Sequence, residues 1–203
     1  MKFTPRLKLS LLTRFSLITF FITAAIAIGL ALGIEYQFEQ NALRQAAESA
    51  ADRVSTTLDL NLQLADLAGP LDPARYAQID ALIRQNILSE HIVRVKIWNR
   101  DGLLLYSDAK EAVGRYFPVS DHLEEALAGE IAMEVSDLTK EENVAEHGRY
   151  DRLFEVYIPL QLYGSTQSVG AYEVYYASDV LDPSLAEMRR FVWAGIGAGF
   201  LIL

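Results

Sequence analysis

Two stretches of this chain carry no charge: Phe15 to Ile34, and Phe191 to the terminal Leu203. The first holds 20 residues, about what a helix needs to cross ~30 Å of hydrocarbon at ~1.5 Å rise per residue. The second holds 13 and stops without a polar flank. It reads as a second span cut short, so a longer protein is expected to continue beyond Leu203.

Between the two runs the hydrophobic period changes. Residues 35–68 contain no Gly or Pro and are rich in Ala, Leu, Gln and Glu, a composition that favours helix. Leu43, Ala47, Ala50, Val54, Leu58 and Asn61 recur at alternating four- and three-residue steps, the spacing of a helix seam. Such a stripe either packs on its own domain or meets a second copy. The small residues Ala42, Ala46, Ala47, Ala50 and Ala51 allow close helix approach, and Leu43, Ala47, Ala50 and Val54 are taken as the seam of a homodimer. Gly69-Pro70 breaks this helix. Asp72 can cap and Pro73 can start a second one, with Tyr76, Ile79, Leu82 and Ile83 on one face, running to about Leu88.

From Ile92 the period is 2. Ile92 to Trp98 alternates apolar with polar, Asn99-Arg100-Asp101-Gly102 makes a tight turn, and Leu103 to Ser107 returns. Ser120 or Asp121 caps a short helix that Gly129 ends. Ile131 to Leu138 alternates weakly, and Thr139 to Asp151 is polar and loop-like. Arg152 to Leu162 and Val169 to Ala177 are two further strands. Asp182-Pro183 opens a last helix, expected to run unbroken into the second apolar run. Adjacent strands with short turns predict an α+β fold: an antiparallel sheet of about five strands with the long N-terminal helix covering one face.

Charge sets the expected orientation. Lys2, Arg6, Lys8 and Arg14 precede the first span with no acid among them, the mark of a cytoplasmic tail. Residues 35–190 hold all 27 acids and carry a formal charge of −13. The organisation is thus a tail at 1–14, a span at 15–34, an extracytoplasmic domain at 35–190 and the start of a second span at 191–203. A cleaved signal peptide is the rival reading, with Ala25, Ala27 and Ala31 as a small-residue site, but its apolar core is shorter, about 7–15 residues. The acidic balance argues against nucleic acid and anionic lipid as partners. With no cysteine, neither a disulfide nor a thiolate metal site exists.

These segments resemble the extracytoplasmic sensor domains of the Cache type, the PAS-like fold of bacterial histidine kinases, diguanylate cyclases and chemoreceptors. The carriers are the hairpin Val93 to Asp108, the following Val113-Gly114, the helix end Ala126 to Glu130, and the closing pair Tyr157-Ile158-Pro159-Leu160 and Val169 to Val174. The resemblance covers residues 35–190 and implies a single-unit sensor domain outside the inner membrane. The tandem version's amino-acid-binding motif does not fit.

The candidate chemistry is that of binding. Histidines 91, 122 and 147 form no metal-ligand pattern, and no nucleophile elbow or phosphate loop occurs, so this stretch is read as no enzyme, with neither cofactor nor metal. His147 after Glu141, Glu142 and Glu146 offers a divalent-cation cluster, more often simply a solvated loop. On the first strand Val93, Val95 and Ile97 share one face and Arg94, Lys96 and Trp98 the other. A cationic pair beside an aromatic suits a small carboxylate or another anion. Tyr157, Tyr175, His147, Arg149 and Arg152 are the further candidate ligand contacts. The competing reading pairs Arg94 and Lys96 with Glu155 or Glu173 across the sheet. Three functions then compete: a sensor input region that passes a helix movement across the membrane, an adhesion or scaffold domain without switching, and an enzyme whose site carries no recognised motif.

Overall fold

Alternating strands and a long N-terminal helix give the α+β arrangement the pattern predicts. The computed structural model describes residues 11–136, 138–143, 153–162, 165, 167–177 and 190–197. The chain divides into two units, Ala42–Asp182, and Met1–Asn41 with Pro183–Leu203.

Helix α1 (Leu11–Leu58) runs without a break through the first apolar stretch and the seam stripe. It is long and apolar enough, by length and composition, to cross a membrane. Phe15, Ile18, Phe21 and Leu30 on it are exposed, the side chains a bilayer would cover. Residues 190–197 are helical, and Trp193 Nε1 donates to Glu35 Oε1 at 3.0 Å. The expected helix from Pro183 to Arg189 and the first ten residues of the tail lie outside the described residues.

In the larger unit α1 ends at Leu58, well before the Gly69-Pro70 breaker. Propensity alone would have carried it further, but tertiary contacts win. Asn61 turns its amide back onto the Thr57 carbonyl at 2.7 Å, and Leu62 and Leu67 fold into the core. A 3-10 turn at Leu64–Leu67 comes next, with Asp66 gripped by Arg75 at 2.7 Å. Helix α2 (Pro73–Asn86) starts as expected, Asp72 accepting from the Ala74 and Arg75 amides, and buries Ile79 and Ile83. Helix α3 (Asp121–Ala128) is capped by Ser120 and closed by Gly129 at φ +104°.

The strands are β1 (Ile92–Asn99), β2 (Leu104–Ser107), β3 (Ala132–Ser136), β4 (Leu153–Leu160) and β5 (Gly170–Ala177). Every pairing is antiparallel, in the order β2-β1-β5-β4-β3. The last strand is therefore the central one. The β1–β2 turn needs Gly102: its φ is +79°, and a Cβ there would sit 2.3 Å from the Phe117 carbonyl oxygen.

One face of the sheet is dry. Val95, Ile97, Val156, Ile158, Tyr172 and Val174 pack with Leu43, Ala47, Ala50, Val54 and Leu58 of α1 and with Ile79 and Ile83 of α2. Each large aliphatic side chain removed from water there contributes about 1.5–3 kcal/mol. The four seam residues are thus covered by their own domain, at 6, 1, 1 and 0% exposure. The stripe therefore packs on its own domain, the first of the two readings of its spacing. Val93 also departs from expectation. A register shift between Ile92 and Arg94 moves it off the α1 face to Leu138, Leu153 and Tyr175, because a bulge reverses the alternation.

Candidate functional site

The other face of the sheet carries charge. Register places Lys96 of β1 opposite Glu173 of β5, Tyr157 of β4 opposite Glu173, and Glu155 of β4 opposite Tyr175. On the outer side Glu134 of β3 lies opposite Glu155. Three carboxylates thus point to one face on three neighbouring strands, and like charges directly opposed repel. Glu155 and Glu173 are fully buried, so each needs donors.

The donors come from strand neighbours and from the connection after β3. Lys96, 1% exposed, lies 3.9 Å from the Glu173 carboxylate and donates to Asn143 Oδ1 at 2.7 Å and to the Tyr175 hydroxyl at 2.6 Å. Trp98 Nε1 donates to Glu173 Oε2 at 2.6 Å, its ring edge-on to Phe117. The Tyr175 hydroxyl bonds Glu173 Oε1. It also lies 2.7 Å from Asn143 Oδ1, but its one proton goes to the carboxylate, since Lys96 already serves that amide oxygen. Asn143 Nδ2 donates to Glu155 Oε1 at 3.0 Å. The Tyr157 hydroxyl donates to Glu155 Oε2 at 2.9 Å.

Lys140 closes the far end. Its ammonium reaches Glu155 Oε2 and the Tyr157 hydroxyl, each at 2.9 Å, and also Glu134. It stands 5.3 Å from the Tyr157 ring centre, and the His122 ring of α3 stacks on that tyrosine at 6.0 Å. His122 Nδ1 is 3.6 Å from Glu134. One hydrogen-bonded network therefore runs from Trp98 to Lys140 and Glu134 under α3 and the 138–143 segment, with His122 packed at its end.

Electrostatics follow from that geometry. Burial pushes the Glu155 carboxyl up, but the Lys140 charge and hydrogen bonds from Ser136 and Lys140 bring it below the ordinary carboxylate range. Burial disfavours the Lys140 ammonium, yet Glu134 and Glu155 hold it above the usual lysine value. Burial, then the charges of Glu173 and Glu155, raises both the Tyr157 and Tyr175 hydroxyls well above their ordinary value, so both stay donors.

The structure brings together Lys96, Trp98, Tyr157 and Tyr175 of the sequence candidates. Arg94 goes elsewhere, to Asp108 at 3.6 Å. His147, Arg149 and Arg152 lie outside the described residues. Lys96 pairs with Glu173, the alternative in which the cations are used within the sheet. Glu134, Lys140, Asn143 and His122 are the members that sequence reading missed. The available signal was the trio Glu134, Glu155 and Glu173 at inward strand positions, which calls for cations from outside the strands. Among the described residues no group of three His, Cys, Asp or Glu side chains is placed to hold a metal ion.

No protein-family model and no curated protein matches the chain. Among solved structures it is similar to the E. coli DcuS sensor domain, at 14% identity and a TM-score of 0.46, covering 72% of this chain and 96% of that one. It is also similar to the V. cholerae histidine kinase DctB sensor domain, at 12% identity and 0.45, covering 73% of this chain and 56% of that one. An A. aeolicus nlh2 GAF domain in an inactive state is similar at 12% identity and 0.37, covering 73% and 89%. Likenesses of this size do not assign a function, which rests on the chain's own residues.

Proposed function

We propose that this chain is the input region of a transmembrane signalling protein such as a histidine kinase or a diguanylate cyclase. In this reading residues 35–190 form a single Cache-type, PAS-like sensor domain outside the bacterial cytoplasmic membrane, between a span at 15–34 and a second beginning at 191. A small molecule binds on the polar face of the sheet, where Lys96, Trp98, Tyr157 and Tyr175 meet; Arg94, His147, Arg149 and Arg152 are retained as candidate contacts from the sequence. The helices then carry a shift to a cytoplasmic effector.

The observation behind the reading is the double role of β5. Glu173 and Tyr175 belong to the polar network. Their neighbours Tyr172 and Tyr176 face the other way, Tyr172 donating to Asp59 at 2.7 Å and Tyr176 to the Ala46 carbonyl at 3.3 Å. Asp59 follows the last residue of α1, and Ala46 lies within it. A change that pulls on Glu173 or Tyr175 is thus one peptide unit away from the strand's grip on α1. A ligand drives such a change only through unequal affinity for two arrangements.

The test joins residues 1–203 to a histidine-kinase catalytic region through a helical linker. Tyr172→Phe with Asp59→Ala removes the end grip while leaving the polar face alone. Kinase output that differs from the parent chimera by severalfold, at equal expression, is the expected result. Output unchanged by this pair and by Glu173→Gln would end the sensor reading. Pairing with a second copy belongs to the same proposal and would use the exposed side of α1. A cysteine at Glu48 should then crosslink in membranes more readily than one at Ala47, the reverse of what the seam expectation demands.

A further inference from the structure

The polar face is filled by its own side chains, and they are not equivalent. Lys96 sits on a central strand with its ammonium sealed inside. Lys140 lies on the connection between β3 and a 3-10 turn at Glu141–Asn143, and its side chain keeps 26% exposure. Its ammonium occupies a receptor of unlike parts: two carboxylates from neighbouring strands and the phenol oxygen of Tyr157, whose ring stacks with that of His122. Carboxylates and a phenol oxygen converging on one nitrogen are how charge-assisted hydrogen bonds hold an ammonium ion. The described network carries the carboxylates of Glu134, Glu155 and Glu173 against the ammoniums of Lys96 and Lys140. Taking Lys140 out therefore leaves a pocket that demands a cation, and an anion entering there would meet Glu134 and Glu155.

We infer that the ligand of this face is a small aliphatic primary amine, whose ammonium replaces that of Lys140 on Glu134, Glu155 and Tyr157 and so frees the 138–143 segment. The space vacated is that of a four-carbon stem, which limits the ligand to a short chain. The ion count on the two carboxylates is unchanged by the exchange, so the protein keeps them paired in both states. What changes is the strap. Lys140 leaves, and with it goes the anchor that keeps Asn143 between Lys96 and Glu155. Among the described residues Asn143 is the amide that joins the Glu173 half of the network to the Glu155 half, so its release reaches Tyr175 and hence β5. The amine is inferred in place of the expected carboxylate because Lys96, the cation meant to receive one, faces Glu173.

This inference rests on the sensor reading, and its test separates the two. The full chain in nanodiscs is titrated with propylammonium and, in parallel, with propionate. Lys140→Ala opens the receptor; propylammonium should raise its thermal midpoint saturably, by roughly 2–6 °C, while propionate does not. Glu155→Gln in the Lys140→Ala background should abolish the effect. Because Lys140→Ala leaves buried carboxylates unpaired and can fail to fold, the wild-type chain supplies the second measurement: propylammonium should speed amide exchange across 138–143. Stabilisation by propionate instead would overturn the amine assignment and leave the sensor reading intact. No response to either compound in both proteins would also overturn the amine assignment, while the kinase chimera still reports on the sensor reading.

Discussion

The two faces of the sheet are built from alternate residues of the same strands and hold opposite kinds of matter. Toward α1, Val95, Ile97, Val156, Ile158 and Val174 meet Val54, Leu58, Ile79 and Ile83, contacts that are non-directional and tolerant of small shifts. Away from α1, Lys96, Glu155, Glu173, Tyr157 and Tyr175 hold one another by directed bonds. The first face supplies stability, since apolar burial dominates folding. The second is a poor way to gain stability, because desolvating ions costs about as much as their attraction returns. Ions kept at such cost, beside a strap that is partly exposed, make sense as a site where one partner can be exchanged for another.

The largest effects should come from crossing the faces. Val95→Asp places a carboxylate among aliphatic side chains with no donor. It should cost more than about 4 kcal/mol and unfold the domain, seen as loss of cooperative chemical unfolding in the full chain. The mirror experiment is Lys96→Met, which keeps the stem and drops the charge. From the sequence alone, truncating Lys96 is expected to be nearly neutral. The structure reverses that: Glu173 is left buried and short of its cation, a loss of about 3–5 kcal/mol. Adding Glu173→Gln should recover most of it, because the amide still accepts from Trp98 and needs no counter-ion. No such recovery would mean that the stem of Lys96, rather than its charge, holds this face.

How much of the fold and the site was legible in the sequence depends on the same contrast. The dry face has a period, and the period gave the element types, the β1–β2 turn at Gly102, the caps at Asp72 and Ser120, and Val95 with Ile97 against the helix. Two local features broke the pattern without a signal in composition. One is the bulge that turns Val93 over; the other is the early end of α1, set by where Leu62 and Leu67 must pack. The polar face was half legible. Strand alternation puts Lys96, Trp98, Glu155, Tyr157, Glu173 and Tyr175 on one side, but spacing does not say which charges neutralise which. Lys140 and Asn143 were hidden because Thr139 to Asp151 reads as a solvated loop, and only the fold brings residue 140 over strands that end at 160 and 177.

The smallest effect tests a polar contact at the rim of the dry face, that of Asp59 with Tyr172, and it shows itself through pH. Burial raises the Asp59 carboxyl from 3.8 to about 6, against a hydrogen bond from Tyr172 that pulls it down. A raised folded-state value means that the native protein holds this proton more tightly than the unfolded chain does. Stability therefore falls as pH climbs from the unfolded value near 3.8 to the folded value near 6, and the cost is fully present above that. Asp59→Asn keeps an oxygen for the Tyr172 hydroxyl and has nothing to ionise. The variant should match the wild type below pH 4 and exceed it above pH 6 by about 1–2 °C in thermal midpoint, a size held down because the carboxyl is only half-buried and partly screened by solvent. The difference between the two proteins should open between those limits and stay constant beyond them. A gap of the same size at every pH would show that Asp59 contributes shape and not charge to the grip of β5 on α1. A gap of opposite sign would mean that Tyr172 holds the ionised form strongly enough to outweigh burial, which would make this contact resemble the polar face more than the dry one.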